Sequence, residues 1–175
     1  MKHIGHIDHK SITGEDIDIL QKEFRVRQAV RAVIMRQDKK IAIVHSSKFN
    51  TYKLPGGGVE KEETLVNALK REILEETGLE VIIQNEIGMV TELRTDFSNF
   101  DKGLFQISYI YRANYSKGIA SAEYTDSEIE EGFTWKWMEL SEVLNHMKSS
   151  VTEKYNKRFE LARDILILQE VSKFI

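Results

Sequence analysis

The stretch that most limits what this chain can fold into runs from Pro55 to Leu79. Three glycines, Gly56-Gly57-Gly58, are followed by a segment rich in Glu, Lys, Leu and Ala that contains no Pro or Gly until Gly78. Consecutive glycines are costly in backbone entropy and are useful where the chain must turn sharply or lie against a ligand or helix. The segment after them predicts a helix over about residues 62–77, closed by Gly78 at the left-handed position past its end. At roughly 100° per residue, Leu65, Val66, Leu69 and Ile73 form an apolar arc, Glu76 falls about 40° from Glu72 at the edge of that arc, and Glu75 about 60° to the other side. Residues three and four apart on a helix are neighbours, so the three carboxylates crowd together with one beside the core-facing stripe. Such crowding is costly unless a cation compensates, and hard carboxylate oxygens suit Mg2+ or Mn2+, which also bridge to phosphate oxygens. The competing reading is a solvated charged face with Arg71 paired to Glu75, and the glycine turn weighs against it.

Gly57, Glu63, Arg71-Glu72-Ile73, Glu75-Glu76 and Gly78-Leu79 stand at the spacing of the Nudix box. Over roughly Val26 to Met147 the chain resembles a Nudix domain. The resemblance implies an α/β/α sandwich with a mixed central sheet. It also implies hydrolysis of a nucleoside diphosphate linked to another moiety. Glu72, Glu75 and Glu76 match the family's metal-binding positions, while Glu63 and Arg71 match positions that brace the loop and helix.

Composition bounds the alternatives. With 175 residues, 41% of them hydrophobic, the chain can bury one good core. It has no apolar run long enough to cross a membrane, and the N-terminal MKHIGHIDHK lacks the apolar centre of a signal peptide, so a cytoplasmic location is expected. The absence of cysteine excludes disulfides, thiol chemistry and thiolate zinc sites. A net charge of −3 with no basic block opposes binding to extended nucleic acid but not to a small phosphorylated substrate. There is no G-x-S-x-G elbow, and the glycine run lacks the Lys-Ser/Thr ending of a P-loop.

Three parts are expected: an N-terminal extension or edge strands over 1–25, a catalytic domain over 26–150, and a C-terminal helix over 151–175. In the first, Ile4, Ile7 and Ile12 suit short edge strands. Residues 29–35 and 41–45 read as a hairpin, 80–93 as a strand with a bulge at Gly88, and 96–103 as a loop. Residues 104–113 read as the central strand, 114–132 as a long acidic connection, and 133–138 as a strand. A short helix over 140–147 is expected to be capped by Ser141. In the terminal helix, Tyr155, Phe159, Ala162 and Leu166 share a stripe before Ile165-Leu166-Ile167-Leu168 makes it apolar almost all round. That pattern needs cover on two sides, so a homodimer is expected.

For chemistry, attack of water on a phosphorus of a pyrophosphate linkage is expected, with one carboxylate taking the proton. Candidate bases are Glu128 and Glu131, in the acidic approach to the Trp135–Trp137 strand, with Glu63 competing and Glu75 on the box helix. The backbone of Gly56, Gly57 and Gly58 is expected near the phosphates. Arg31, Lys48, Lys53 and Arg94 are candidate phosphate contacts, Arg31 foremost because it sits among apolar residues. Phe49, Tyr52, Phe97 and Phe100 could stack on a base or anchor loops. His3, His6 and His9 repeat every third residue but lack the partners of a zinc site, and His45 lies near the glycine turn. A non-catalytic nucleotide sensor built on the same pocket is the alternative function, opposed by three intact glutamates.

Overall fold

The computed structural model describes residues 1–16 and 23–174. Its elements are β1 (His3–Asp8), α1 (His9–Thr13), β2 (Phe24–Met35), β3 (Ile41–Ser46), β4 (Thr51–Lys53), α2 (Leu65–Thr77), β5 (Leu79–Asp96), β6 (Asn99–Gly118), α3 (Asp126–Glu130), β7 (Phe133–Met138), α4 (Leu140–Ser149) and α5 (Tyr155–Val171). The strands form one mixed seven-stranded sheet in the order β1-β5-β6-β2-β3-β4, with β7 paired to β3. β1 runs parallel to β5 and β2 parallel to β6, while β5–β6, β3–β4 and β3–β7 are antiparallel.

Alternation along the strands builds two apolar layers. Val30, Ala32 and Ile34 of β2 face α2, where they meet Ala68, Leu69 and Ile73. Val33 and Met35 face the other side, where Ile7, Val90, Ile110, Met147, Phe159 and Ile167 complete the core beneath α4 and α5. The result is the expected α/β/α sandwich with a mixed central sheet.

Several local expectations are corrected. α2 starts at Leu65, because Glu62 is held at φ 65° and Thr64 caps the helix by accepting from the Asn67 N–H at 3.2 Å. Gly78 closes it at φ 69°, as expected. Val66 lies on the exposed side of that helix and outside the core. The loop at 96–103 shrinks to a tight turn, because Asp96 Oδ1 accepts from the backbone N–H and hydroxyl of Ser98 and lets β5 run straight into β6. β6 then continues to Gly118, shortening the acidic connection. Gly88 does sit at a register shift, and a Cβ there would come 2.6 Å from the Lys2 carbonyl oxygen on β1. Ile4 and Ile7 lie on β1 as expected, but Ile12 is in α1, which Asp8 and Ser11 close with a capping box. Ser141 is inside α4, whose N-cap position is Glu139. α5 begins at Tyr155 and contacts α1, α4, β1, β4 and β5 of its own chain, leaving Ile165 and Leu166 half-buried.

Candidate active site

The glycine turn is laid down as an extra edge beside β2. Val30 N–H donates to the Gly57 carbonyl at 2.9 Å, Ala32 N–H to that of Pro55 at 2.9 Å, and Val59 N–H to that of Gln28 at 3.0 Å. Each glycine meets something different. A Cβ on Gly56, which sits at φ 133°, would come 2.1 Å from the Val30 carbonyl oxygen. One on Gly57 would come 2.2 Å from the Glu72 carboxylate, and one on Gly58 2.9 Å from Arg27 Nη2. A side chain at Gly56 would push the turn off the β2 backbone, whereas one at Gly57 or Gly58 would displace the Glu72 carboxylate or the Arg27 guanidinium.

Arg71 ties that turn to α2. Its Nε and Nη2 donate to the two oxygens of Glu63 at 3.1 and 3.0 Å, and Nη2 also donates to the Gly58 carbonyl at 3.0 Å. Nη1 donates to Glu72 at 2.9 Å and to Glu75 at 3.1 Å. The bidentate pair with Glu63 raises the Arg71 pKa and lowers that of Glu63. Glu63 is thus engaged in bracing and lies outside the cavity lining.

Glu76 is buried on the inner side of α2. Lys53 Nζ donates to its Oε1 at 2.5 Å and Gly56 N–H to its Oε2 at 2.7 Å. Burial raises its pKa while Lys53 pulls the other way. All three glutamates line one cavity, but Glu76 is held apart from Glu72 and Glu75. Among the described residues no group of three or more Asp, Glu, His or Cys gathers as a ligand set. Glu72 and Glu75 share one guanidinium nitrogen, while the neighbouring turn captures Glu76.

These groups open onto a cavity of about 890 Å3 between the α5 face of the sheet, the glycine turn, α2, the segment before α3, and α5 itself. A sequence model of the NUDIX domain matches residues 25–159. The chain belongs to the Nudix family. The MutT-like protein of Streptomyces ambofaciens is 29% identical to it over 119 residues, 68% of each chain. The 8-oxo-dGTP diphosphatase of Buchnera aphidicola is 49% identical over 45 residues, 25% of this chain and 36% of that one. Among solved structures, the NUDIX hydrolase from Nitrosomonas europaea aligns with TM-score 0.57 at 20% identity, over 79% of this chain and 88% of that one, a likeness of fold. The expectation of a Nudix pyrophosphohydrolase stands with that membership.

In this Nudix chain the cavity has a glutamate end and an arginine end, each also carrying groups of the opposite charge. Glu72, Glu75, Glu76, Glu60, Glu123 and Glu128 line the first together with Arg71 and Lys53. Arg25, Arg27, Arg31, Arg94 and Arg163 line the second together with Glu92, Asp96 and Glu160. Of the candidate bases outside the box, Glu128 reaches the cavity, where it accepts from the Thr125 N–H and hydroxyl at 2.9 Å each. Glu131 does not line it and sits 2.7 Å from Lys157 Nζ. Of the candidate phosphate contacts, Lys53, Arg31 and Arg94 line it and Lys48 does not.

Phe97 alone of the candidate stacking residues lines the cavity, and the Arg94 guanidinium covers its face at 3.5 Å. Phe49 lies among Lys48, Lys154 and Lys157, Tyr52 packs between His45 and His146, and Phe100 neighbours Tyr155. His45 bonds Asn50 outside the cavity. His3 and His6 both bond Thr91 Oγ1, and His9 bonds the Tyr155 hydroxyl, so the histidine repeat is distributed over the β1 edge and α1.

Sequence reasoning missed Arg27, Glu92, Gln106, Asn156, Glu160 and Arg163. One signal was available. Glu92, Arg94 and Asp96 alternate on β5 and so share one sheet face.

Proposed function

We propose that this chain hydrolyses the pyrophosphate bond of a small nucleotide-type substrate with the help of Mg2+ or Mn2+. The observation that carries this reading is the pairing of Glu72 and Glu75 on one Arg71 nitrogen, against Gly57 and open to the cavity. Two carboxylates with no soft donor nearby fit a hard divalent cation. Glu72 and Glu75 are the residues to hold it by turning from Arg71 Nη1, with Glu76 behind them. A cation bound there neutralises phosphate oxygens and lowers the pKa of a water.

The chain's own groups do the rest. Arg71 keeps Glu63 and the Gly58 carbonyl, so the turn stays in place when Nη1 is released. Lys53 and the backbone of Gly56 to Gly58 lie at the cavity wall where phosphate oxygens are to be received, and Arg31 and Arg94 extend that wall inward. Glu128 is the proposed proton acceptor, since it faces the cavity across from α2.

A panel of modified nucleoside triphosphates, nucleotide sugars and dinucleoside polyphosphates, assayed with Mg2+, Mn2+ or EDTA, tests this reading. Metal-dependent release of nucleotide or phosphate is expected. No turnover anywhere, with tight nucleotide binding in a calorimeter, would replace it by the sensor reading. Thermal melts should rise with metal by mass action, and the rise should shrink in a Glu72→Gln, Glu75→Gln double variant.

Among the described residues no helix is long and apolar enough to cross a membrane. A cytoplasmic location is part of the proposal. So is a homodimer through the half-buried Ile165 and Leu166 of α5, which a monomer mass in light scattering would overturn.

A further inference from the structure

Pro55 carries no N–H, so the entry of the glycine turn offers only the N–H groups of Leu54 and Gly56, and all three residues are buried. A buried N–H has to find an acceptor. β4 ends at Lys53, and beyond it both N–H groups go to side chains. Gly56 N–H donates to Glu76 Oε2 on α2 at 2.7 Å, and Leu54 N–H donates to Asp164 Oδ2 on α5 at 2.8 Å. The two helices cover opposite faces of the sheet, so the entry of the turn is gripped from both sides. The Glu76 contact lies within the box. The Asp164 contact reaches across 110 positions and comes from a helix outside it.

Asp164 is fully buried, and its other oxygen accepts from Arg163 Nε at 2.7 Å. Arg163 Nη1 in turn lies 3.6 Å from Glu92 on β5, which orients the pair against the sheet and leaves Oδ2 to the turn. Holding α5 in place does not call for such a pair. Apolar residues of similar volume at both positions of a buried ion pair often serve stability as well or better. They cannot supply an acceptor for the Leu54 N–H.

What that N–H fixes is carried along the turn. The carbonyls of Pro55 and Gly57 receive the Ala32 and Val30 N–H groups at 2.9 Å each, and a Cβ on Gly57 would lie 2.2 Å from the Glu72 carboxylate. A displacement at Leu54 therefore reaches both the turn and Glu72. A misplacement of about 1 Å near reacting groups can cost on the order of a hundredfold in rate.

We propose that Asp164 is a positioning residue of the active site, which fixes the entry of the glycine turn through the Leu54 N–H and so makes α5 part of the frame that presents Gly56, Gly57, Gly58 and Glu72 to the substrate. The assignment rests on the reading above, in which this turn receives phosphate oxygens. Asp164 acts through the backbone and touches no reacting atom.

The test uses two double variants that remove the buried charge pair alike and differ in the acceptor: Arg163→Met with Asp164→Asn, and Arg163→Met with Asp164→Leu. Asn and Leu are close in volume, and with the guanidinium gone the Asn carbonyl oxygen is free to take the Leu54 N–H. Amide hydrogen exchange is followed by NMR without metal or substrate at Leu54, Gly56, Val30 and Ala32, with β6 amides reporting global opening. Relative to β6, the Leu variant should exchange about tenfold or more faster than the Asn variant at Leu54 and Gly56, with Val30 and Ala32 moving the same way. With Mg2+ and a hydrolysed pyrophosphate, kcat should be about tenfold or more lower in the Leu variant, and KM within about threefold.

Equal exchange at Gly56 in the two variants, or equal kcat, overturns the proposal and leaves the hydrolase reading standing. Exchange that separates the variants, in a protein whose wild type cleaves no pyrophosphate, removes the hydrolase reading and keeps the hold of Asp164 on the turn. If either double variant does not fold, the wild type decides. Its Leu54 and Gly56 amides should then be protected to within about threefold of each other, and a Leu54 amide protected about tenfold or more weakly than Gly56 overturns the proposal.

Discussion

The two ends of the cavity are built in opposite ways. The glutamate end comes from one short stretch, in which Gly58, Glu63, Glu72 and Glu75 are linked through the single guanidinium of Arg71. The arginine end is assembled from β2, β5, β6 and α5, which sequence separates by as many as 138 positions between Arg25 and Arg163. In the first, Glu72 and Glu75 are partly accessible and their loss leaves few buried groups unpaired. In the second, Arg163 and Asp164 are almost fully enclosed, so removing one partner strands a buried charge. The difference teaches that one end can be altered for chemistry with little effect on the fold, whereas the other is part of what holds the sheet to α5.

The largest effect should come from Arg163→Met. With Asp164 and Glu92 losing that partner, stability should drop by about 3–5 kcal/mol, read from urea unfolding. A loss under about 1 kcal/mol would erase the contrast between the two ends. Next, Glu72→Gln or Glu75→Gln should lower metal-dependent turnover on the order of a hundredfold while moving the melting midpoint by no more than about 2 °C. A midpoint falling as far as in Arg163→Met would show that the glutamates are structural as well.

A smaller difference separates the two acids near α3. Glu128→Gln should cut turnover about tenfold or more and alter the acid limb of the pH–rate profile, whereas Glu131→Gln should stay within about threefold. Equal losses would mean that cavity access is not what distinguishes them.

The least effect concerns the rim. Arg25 bonds Asp96 and holds its pKa below the ordinary 3.8, so this pair stabilises the fold fully above that pH and progressively less as pH falls beneath it. Arg25 is half exposed, so Arg25→Gln should lower the midpoint at pH 7 by only about 1–2 °C. That gap should close on acidification below pH 3.8. A gap that widens there would reverse the sign of the assigned linkage.

Much of the fold was legible because it follows local rules. The span of β7, the hairpin entering β3, and the Gly78 stop of α2 each rest on residues within a few positions of one another. Errors arose where a side chain redirected the backbone. Asp96 closed a turn that its polar neighbours suggested was a loop, and Thr64 with the strained Glu62 delayed the start of α2. α5 takes cover from five of its own chain's elements and still leaves Ile165 and Leu166 half-buried, an outcome that depends on where α1 and β1 return.

By itself, the sequence determined the family through the Nudix box, with the sandwich of helices around a mixed sheet following from that resemblance, and it named the glutamates and glycines that line the cavity. The contacts inside the box depend on spacing within one helix and one turn, where covalent geometry dictates which side chains meet. Only the tertiary structure decided that Glu76 is tied to Lys53 and the Gly56 N–H, that Glu128 rather than Glu131 faces the cavity, and that Arg27, Arg31, Arg94 and Arg163 share one wall. Contacts between distant segments are chosen by the burial and pairing of charge when sheet and helices pack, and no local periodicity encodes which partner a carboxylate or guanidinium will find.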